Sequence, residues 1–88
     1  MPTVRHLKKA VLQSLVDGRS RGSHAVCDAT GYLYPRSMIS YLRRLQRQGL
    51  LRASLAGRIT VFRISPKGVA RLRWFLANPG YNFLRRRF

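Results

Sequence analysis

The chain has 88 residues, 45% of them hydrophobic, with 18 Lys and Arg against two acids, Asp17 and Asp28, for a formal net charge of +16. That length suits one small domain, and the apolar content excludes a purely disordered tail. A compact fold with this excess repels itself unless a polyanion neutralises it, so nucleic acid, an anionic membrane surface or a strongly acidic protein are the partner classes.

All the cations but Lys8, Lys9 and Lys67 are arginines, whose planar forked donors suit phosphate and guanine edges. Codon usage can account for part of the Arg-to-Lys ratio, though not for the shortage of acids. Cys27 is the single cysteine, so no disulfide forms within the chain. With His6 and His24 it makes a poor metal set, and no metal or cofactor is expected. Two carboxylates cannot build the clusters that metal-dependent nucleases need, and no Ser-His-Asp spacing stands out, so an enzyme is not expected. No stretch approaches the roughly 20 apolar residues of a membrane span. The N-terminal apolar run is broken by His6, Lys8 and Lys9, unlike a signal peptide.

In chain order, residues 7–17 predict a helix with Leu7, Ala10, Val11, Ser14 and Leu15 on one side and Gly18 as its stop. Leu12 and Val16 fall off that stripe, so the helix is apolar on more than one face. A polar loop follows. Ser23 suits the N-cap of a short second helix over 24–30, with Val26 and Ala29 inward, ended by Gly31. The turn Gly31–Pro35 holds Leu33 as a candidate core residue.

Pro35 fits the first position of a third helix, expected over 35–48 with Gly49 as its stop. At about 100° per residue, Met38, Leu42, Leu45 and Gly49 cluster within about 60°, with Ile39 on the flank. Arg36, Arg43, Arg44 and Arg47 lie opposite, with Ser40 among them and Ser37 beside them. Solvated helix faces normally mix signs, and this one carries no acid. A hairpin is expected next, "LLRASL" and "RITVFRI" joined by Ala56 and Gly57, with Arg58 at its tip and Phe62 and Ile64 sharing a face. Alternation leaves the directions of Arg52 and Arg63 open. Ser65 and Pro66 then open a last helix with Val69, Leu72 and Leu76 inward and Trp74 pointing away. Pro79 and Gly80 end it before a basic-aromatic tail.

The run Met38, Leu42, Leu45, Gly49, Leu50 and the later Ile64, Ser65, Lys67, Gly68 resemble the third helix and post-wing helix of small MarR- and PadR-like regulators. The resemblance covers about residues 7–77 and implies an α+β, mostly α, winged helix-turn-helix fold: three helices, a two-stranded β-hairpin wing and a C-terminal helix. It assigns residues 1–78 to the domain and 79–88 to the tail. It implies double-stranded DNA as partner, read with the third helix in the major groove. Arg36, Ser37 and Ser40 are then expected at base edges, and Arg43, Arg44 and Arg47 at phosphates. Arg58 would grip phosphate or enter the minor groove, with Arg52, Arg63, Tyr34 and Ser23 as flanking contacts. Tyr41 suits either phosphate or the edge of the core. Lys8, Lys9, Arg19, Arg21 and His24 are further backbone candidates.

A transcription regulator, more readily a repressor than an activator, is the leading expectation, working in a prokaryotic cytoplasm or nucleoid or encoded by a phage or archaeal virus. A nonspecific architectural DNA binder and an RNA- or ribosome-binding protein are the alternatives. No small-molecule effector and no membrane partner are expected. Leu12, Val16, Trp74 and Phe83 are candidates for the interface of a homodimer.

Overall fold

The computed structural model describes residues 4–78. The tail at 79–88, including Phe83, lies outside the described residues. The element order is α1 (Val4–Ser14), α2 (Ser23–Thr30), α3 (Pro35–Arg47), β1 (Leu51–Ala56), β2 (Ile59–Ile64) and α4 (Pro66–Ala77).

Helix α1 packs against both α2 and α4, and this two-sided burial explains its broad apolar surface. Leu7, Val11, Leu12 and Leu15 all enter the core. Leu12 is completely buried within its own chain, so it is not the surface residue that a dimer contact requires. Val16, two residues past the helix end, is 53% exposed.

Gly22, in extended conformation, is the N-cap of α2, and Ser23 is its first helical residue rather than the cap. The first turn closes by the Val26 amide donating to the Gly22 carbonyl at 3.1 Å. Val26 and Cys27 are the buried pair of this helix, and Ala29 is exposed instead of inward. Burial, with a smaller contribution from Asp28, pushes the Cys27 thiol up, as expected of a cysteine acting as a small hydrophobe. In the following turn Leu33 is 65% exposed, and Tyr32 packs on the core in its place.

Met38, Leu42 and Leu45 of α3 are fully buried. The helix ends in a Schellman arrangement: Gly49 sits at φ +82°, its amide reaches the Gln46 carbonyl at 2.9 Å, and Leu50 N–H reaches the Leu45 carbonyl at 3.0 Å. Leu50 and Leu51 then carry the chain through the core into β1.

The two strands pair antiparallel with Leu51 opposite Ile64, Ala53 opposite Phe62 and Ala56 opposite Ile59. Ala56 therefore belongs to β1, and the turn is Gly57–Arg58, one residue later than the sequence suggested. Phe62 is completely buried. A further pairing runs from Arg21 to Phe62, whose amides and carbonyls bond reciprocally at 2.9 and 2.8 Å. The α1–α2 loop thus adds a one-residue third strand to the wing.

Ser65 caps α4 by accepting from the Gly68 amide at 3.0 Å, while its hydroxyl donates to the Gly49 carbonyl. Gly68, Leu72 and Phe75 form the inward line of α4. Leu76, expected inward, is 52% exposed. The helix leans on its 68–72–75 line because Gly68 lets it touch the backbone of Leu50, which rotates Leu76 outward.

Candidate nucleic-acid interface

With Met38, Leu42 and Leu45 fixing the rotation of α3, residues 36, 40, 43 and 47 fall within about 60° of one another on the outer side. Arg36, Ser40, Arg43 and Arg47 are all exposed. Spacings of four, three and four residues make them one line about 16 Å long, comparable to the width of a DNA major groove. Ser37 and Arg44 lie beside this line, also exposed. Among the described residues, the ion pair present is Arg21–Asp17, at 2.9 Å, so no carboxylate neutralises the α3 arginines.

Ser37, Ser40 and Arg44 share a shallow cleft with Tyr32, Tyr41 and Leu7. Tyr41 packs against the core edge, and burial pushes its phenol up to about 12, partly offset by the charge of Arg44. The hydroxyl therefore stays protonated at neutral pH and can donate to an anion at the cleft. Tyr34, the N-cap of α3, is 60% exposed and meets Tyr32 edge-on at 5.8 Å.

The register settles the direction of the wing arginines. Arg52 and Arg63 stand directly opposite each other across β1 and β2, and both are exposed. Like charges placed so are mutually destabilising, and an anion between them would relieve the repulsion. Arg58 is in the turn itself, after Gly57 at φ +65°.

The Arg21–Phe62 bridge draws the start of α2 onto the wing. A Cβ on Gly22 would lie 3.5 Å from Ile59 Cγ2, and Ser23, His24, Ile59 and Val61 line one groove. Ser23 is half-buried there and His24 exposed. Arg21 itself is committed to structure: its guanidinium grips both Asp17 oxygens at 2.9 Å and donates to the Ser14 carbonyl at 3.1 Å. That grip, with the Arg19 amide, holds the Asp17 carboxyl well below the usual range. Sequence reasoning missed the bridge because a single-residue strand leaves no periodicity, although an acid and an arginine four apart were a visible signal. Lys8, half-buried on α1, has its pKa lowered by burial and then by the nearby Arg71 charge.

Helix α2 packed on both α1 and α3, followed by a hairpin and a closing helix, gives a winged helix-turn-helix fold, as the sequence resemblance implied. Solved structures agree with that class. BpsR of Bordetella bronchiseptica, whose DNA binding is regulated by 6-hydroxynicotinic acid, superposes with a TM-score of 0.71 at 22% identity, over 81% of this chain and 51% of BpsR. The transcriptional regulator BldR of Sulfolobus solfataricus gives 0.68 at 18% identity, over 92% of this chain and 63% of BldR. The homodimeric winged helix-turn-helix DNA-binding domain of Mb0332 from Mycobacterium bovis, a possible ArsR-family regulator, gives 0.65 at 26% identity, over 93% and 74%. The chain spans roughly half of BpsR and under two thirds of BldR. No protein-family model matches it, and no curated protein matches it in sequence.

Among the described residues no helix is long and apolar enough to cross a membrane, and no group of His, Cys, Asp and Glu is gathered as for a metal ion.

Proposed function

We propose that the protein is a sequence-specific regulator of transcription, a repressor, that binds double-stranded DNA with α3 in the major groove. The observation that carries this reading is the exposed line Arg36–Ser40–Arg43–Arg47, set opposite a buried seam on α3 and without an acid beside it. In this reading Arg36, Ser37 and Ser40 meet base edges near the start of the helix, and Arg43, Arg44 and Arg47 hold flanking phosphates. Arg58 reaches the minor groove or its phosphates, and Arg52 and Arg63 share one phosphate. Tyr34 and Ser23 add hydroxyl contacts at the edge. Residues 1–78 form the DNA-binding unit, and the tail at 79–88 adds basic attraction. No catalytic chemistry and no effector are assigned. The site of action is the DNA of a prokaryotic cell, whether the gene is the cell's own or that of a phage or archaeal virus.

A homodimer would read two half-sites. Of the four residues expected to build it, Leu12 is spent on the core, and Val16 is the apolar exposed residue that best retains the role. The net charge of +16 also favours a second reading, an architectural binder with little sequence preference. Selection of bound sequences from random duplex DNA at near-physiological salt decides between them. A palindromic motif supports the dimeric regulator, and absence of enrichment overturns it in favour of the architectural protein.

A further inference from the structure

The far end of the wing carries apolar side chains that the core does not use. Leu55 is 74% exposed and Ile59 63%, and they bracket the turn Gly57–Arg58. The register puts them on opposite faces of the ribbon. Leu55 stands opposite Thr60, on the face that carries Ala53 and Phe62 to the core, whereas Ile59 stands opposite Ala56, on the other face. The body of the fold stops short of Leu55. The start of α2 lies along one flank of Ile59 without burying it. Between them Arg58 is exposed at the extremity of the hairpin.

Single exposed apolar residues are ordinary on a protein surface, but these two flank the arginine at the tip of a cationic hairpin. A flat occupant, a second copy included, would cover one face of the ribbon and leave the other in water. A groove with two walls takes both faces at once. Charge decides what kind of groove: residues 51–64 hold Arg52, Arg58 and Arg63 and no acid. The minor groove of a DNA duplex, about 6 Å wide, has acceptors on its floor for an arginine. Its rims are deoxyribose rings, whose C–H surfaces are apolar. An RNA duplex instead presents a wide, shallow minor groove lined with 2′-hydroxyls. Covering those with leucine and isoleucine would leave them without hydrogen-bond partners.

We propose that Leu55 and Ile59 select deoxyribose: with Arg58 in the minor groove, they lie against the sugars of its two rims and favour DNA over RNA. This rests on the proposed reading of the wing on duplex DNA, and it adds to that reading the residues that distinguish the sugar.

The experiment uses the full chain and two duplexes of one sequence. One is all DNA, and the other has ribonucleotides interspersed along both strands, so that any placement of the wing meets 2′-hydroxyls. The expected result is about tenfold weaker binding of the substituted duplex. Leu55→Ser and Ile59→Ser should each lower that ratio, and the double variant should remove most of it. Thermal unfolding of these variants should match wild type, because both sites are exposed. Leu76→Ser, an apolar residue 52% exposed on α4, should leave the ratio unchanged. The proposal is overturned if wild type binds both duplexes alike, or if the substituted duplex binds more tightly, which would favour RNA as the partner. A ratio that the double variant keeps also overturns it, because the loss then comes from the altered helix form and not from the wing. Failure on these arms leaves the reading of α3 intact, since sequence selection on duplex DNA decides that reading. A chain that binds neither duplex overturns both.

Discussion

The backbone carbonyl of Leu50 occupies the space where a side chain on Gly68 would begin, and Ile64 Cγ1 would stand 2.7 Å from the same Cβ. Here α4 lies directly against the backbone of the residue that precedes β1. Gly68→Ala should therefore force the helix off the strand and cost roughly 1–3 kcal/mol or more. Gly18→Ala is the comparison: φ is +81° but the space is open, so its cost should be the left-handed penalty alone, about 1–2 kcal/mol. Urea unfolding of the two variants checks the order.

Ser65 ties the same junction by accepting from the Gly68 amide and donating to the Gly49 carbonyl. Ser65→Ala removes a helix cap and leaves a carbonyl short of its donor, for a loss of about 1–2 kcal/mol. Ser65→Asp restores the cap acceptor but cannot donate to Gly49 when ionised, so it should recover only part of that stability. Thermal unfolding of the pair measures the share of each bond.

On the DNA side, Arg36→Ala should relax the preferred sequence at one or two positions and cost about 1–3 kcal/mol. Arg47→Ala should weaken all sequences alike and lower the salt slope of binding by about 1. Affinities measured across a salt series on selected and random duplexes separate these behaviours. If neither variant changes affinity or motif, the outer line of α3 is not the reading face.

The Asp17 carboxyl is held below its unfolded value by Arg21 and the Arg19 amide. Its contribution is thus fully present above the unfolded carboxyl range near pH 4, and is lost as pH falls through the lower folded value. Wild type should exceed Asp17→Asn in stability at neutral pH, and the gap should close on acidification. Unfolding midpoints of both proteins between neutral and strongly acid pH test this.

The Tyr41 phenol, raised to about 12 mainly by burial, predicts the opposite dependence. Its neutral form favours the fold below the unfolded tyrosine range near pH 10, and that contribution is lost as pH rises through the folded value. An ultraviolet titration should show a tyrosine ionising late, and Tyr41→Phe should remove that step.

Much of this architecture could be read from the chain because its signals were local. Pro35 and Pro66 marked helix starts, Gly49 marked a stop, and the spacing of Met38, Leu42 and Leu45 set the rotation of α3. The arginine line followed directly from that rotation. What escaped depended on which neighbours lay nearby. Leu12 looked like surplus apolar surface until α1 was found packed on two sides. Leu76 gave way to Phe75 because Gly68 set the tilt of α4, a constraint that lies in the backbone of Leu50 and not in α4. The turn slipped by one residue because Ala56 can end a strand as readily as open a loop. The directions of Arg52 and Arg63 needed the register, which alternation alone does not supply.

The reciprocal bonds between Arg21 and Phe62 make the wing a fixed jaw. Its root is fastened to the loop that opens α2, and α2 is packed on α3, so in the proposed reading Arg58 and the α3 arginines would meet DNA as a gauge of set width. Duplexes differ in groove width and stiffness according to sequence. In the proposed reading, those that present phosphates at that width would seat without bending, and others would deform first. Such a jaw would discriminate at base pairs that no side chain reaches.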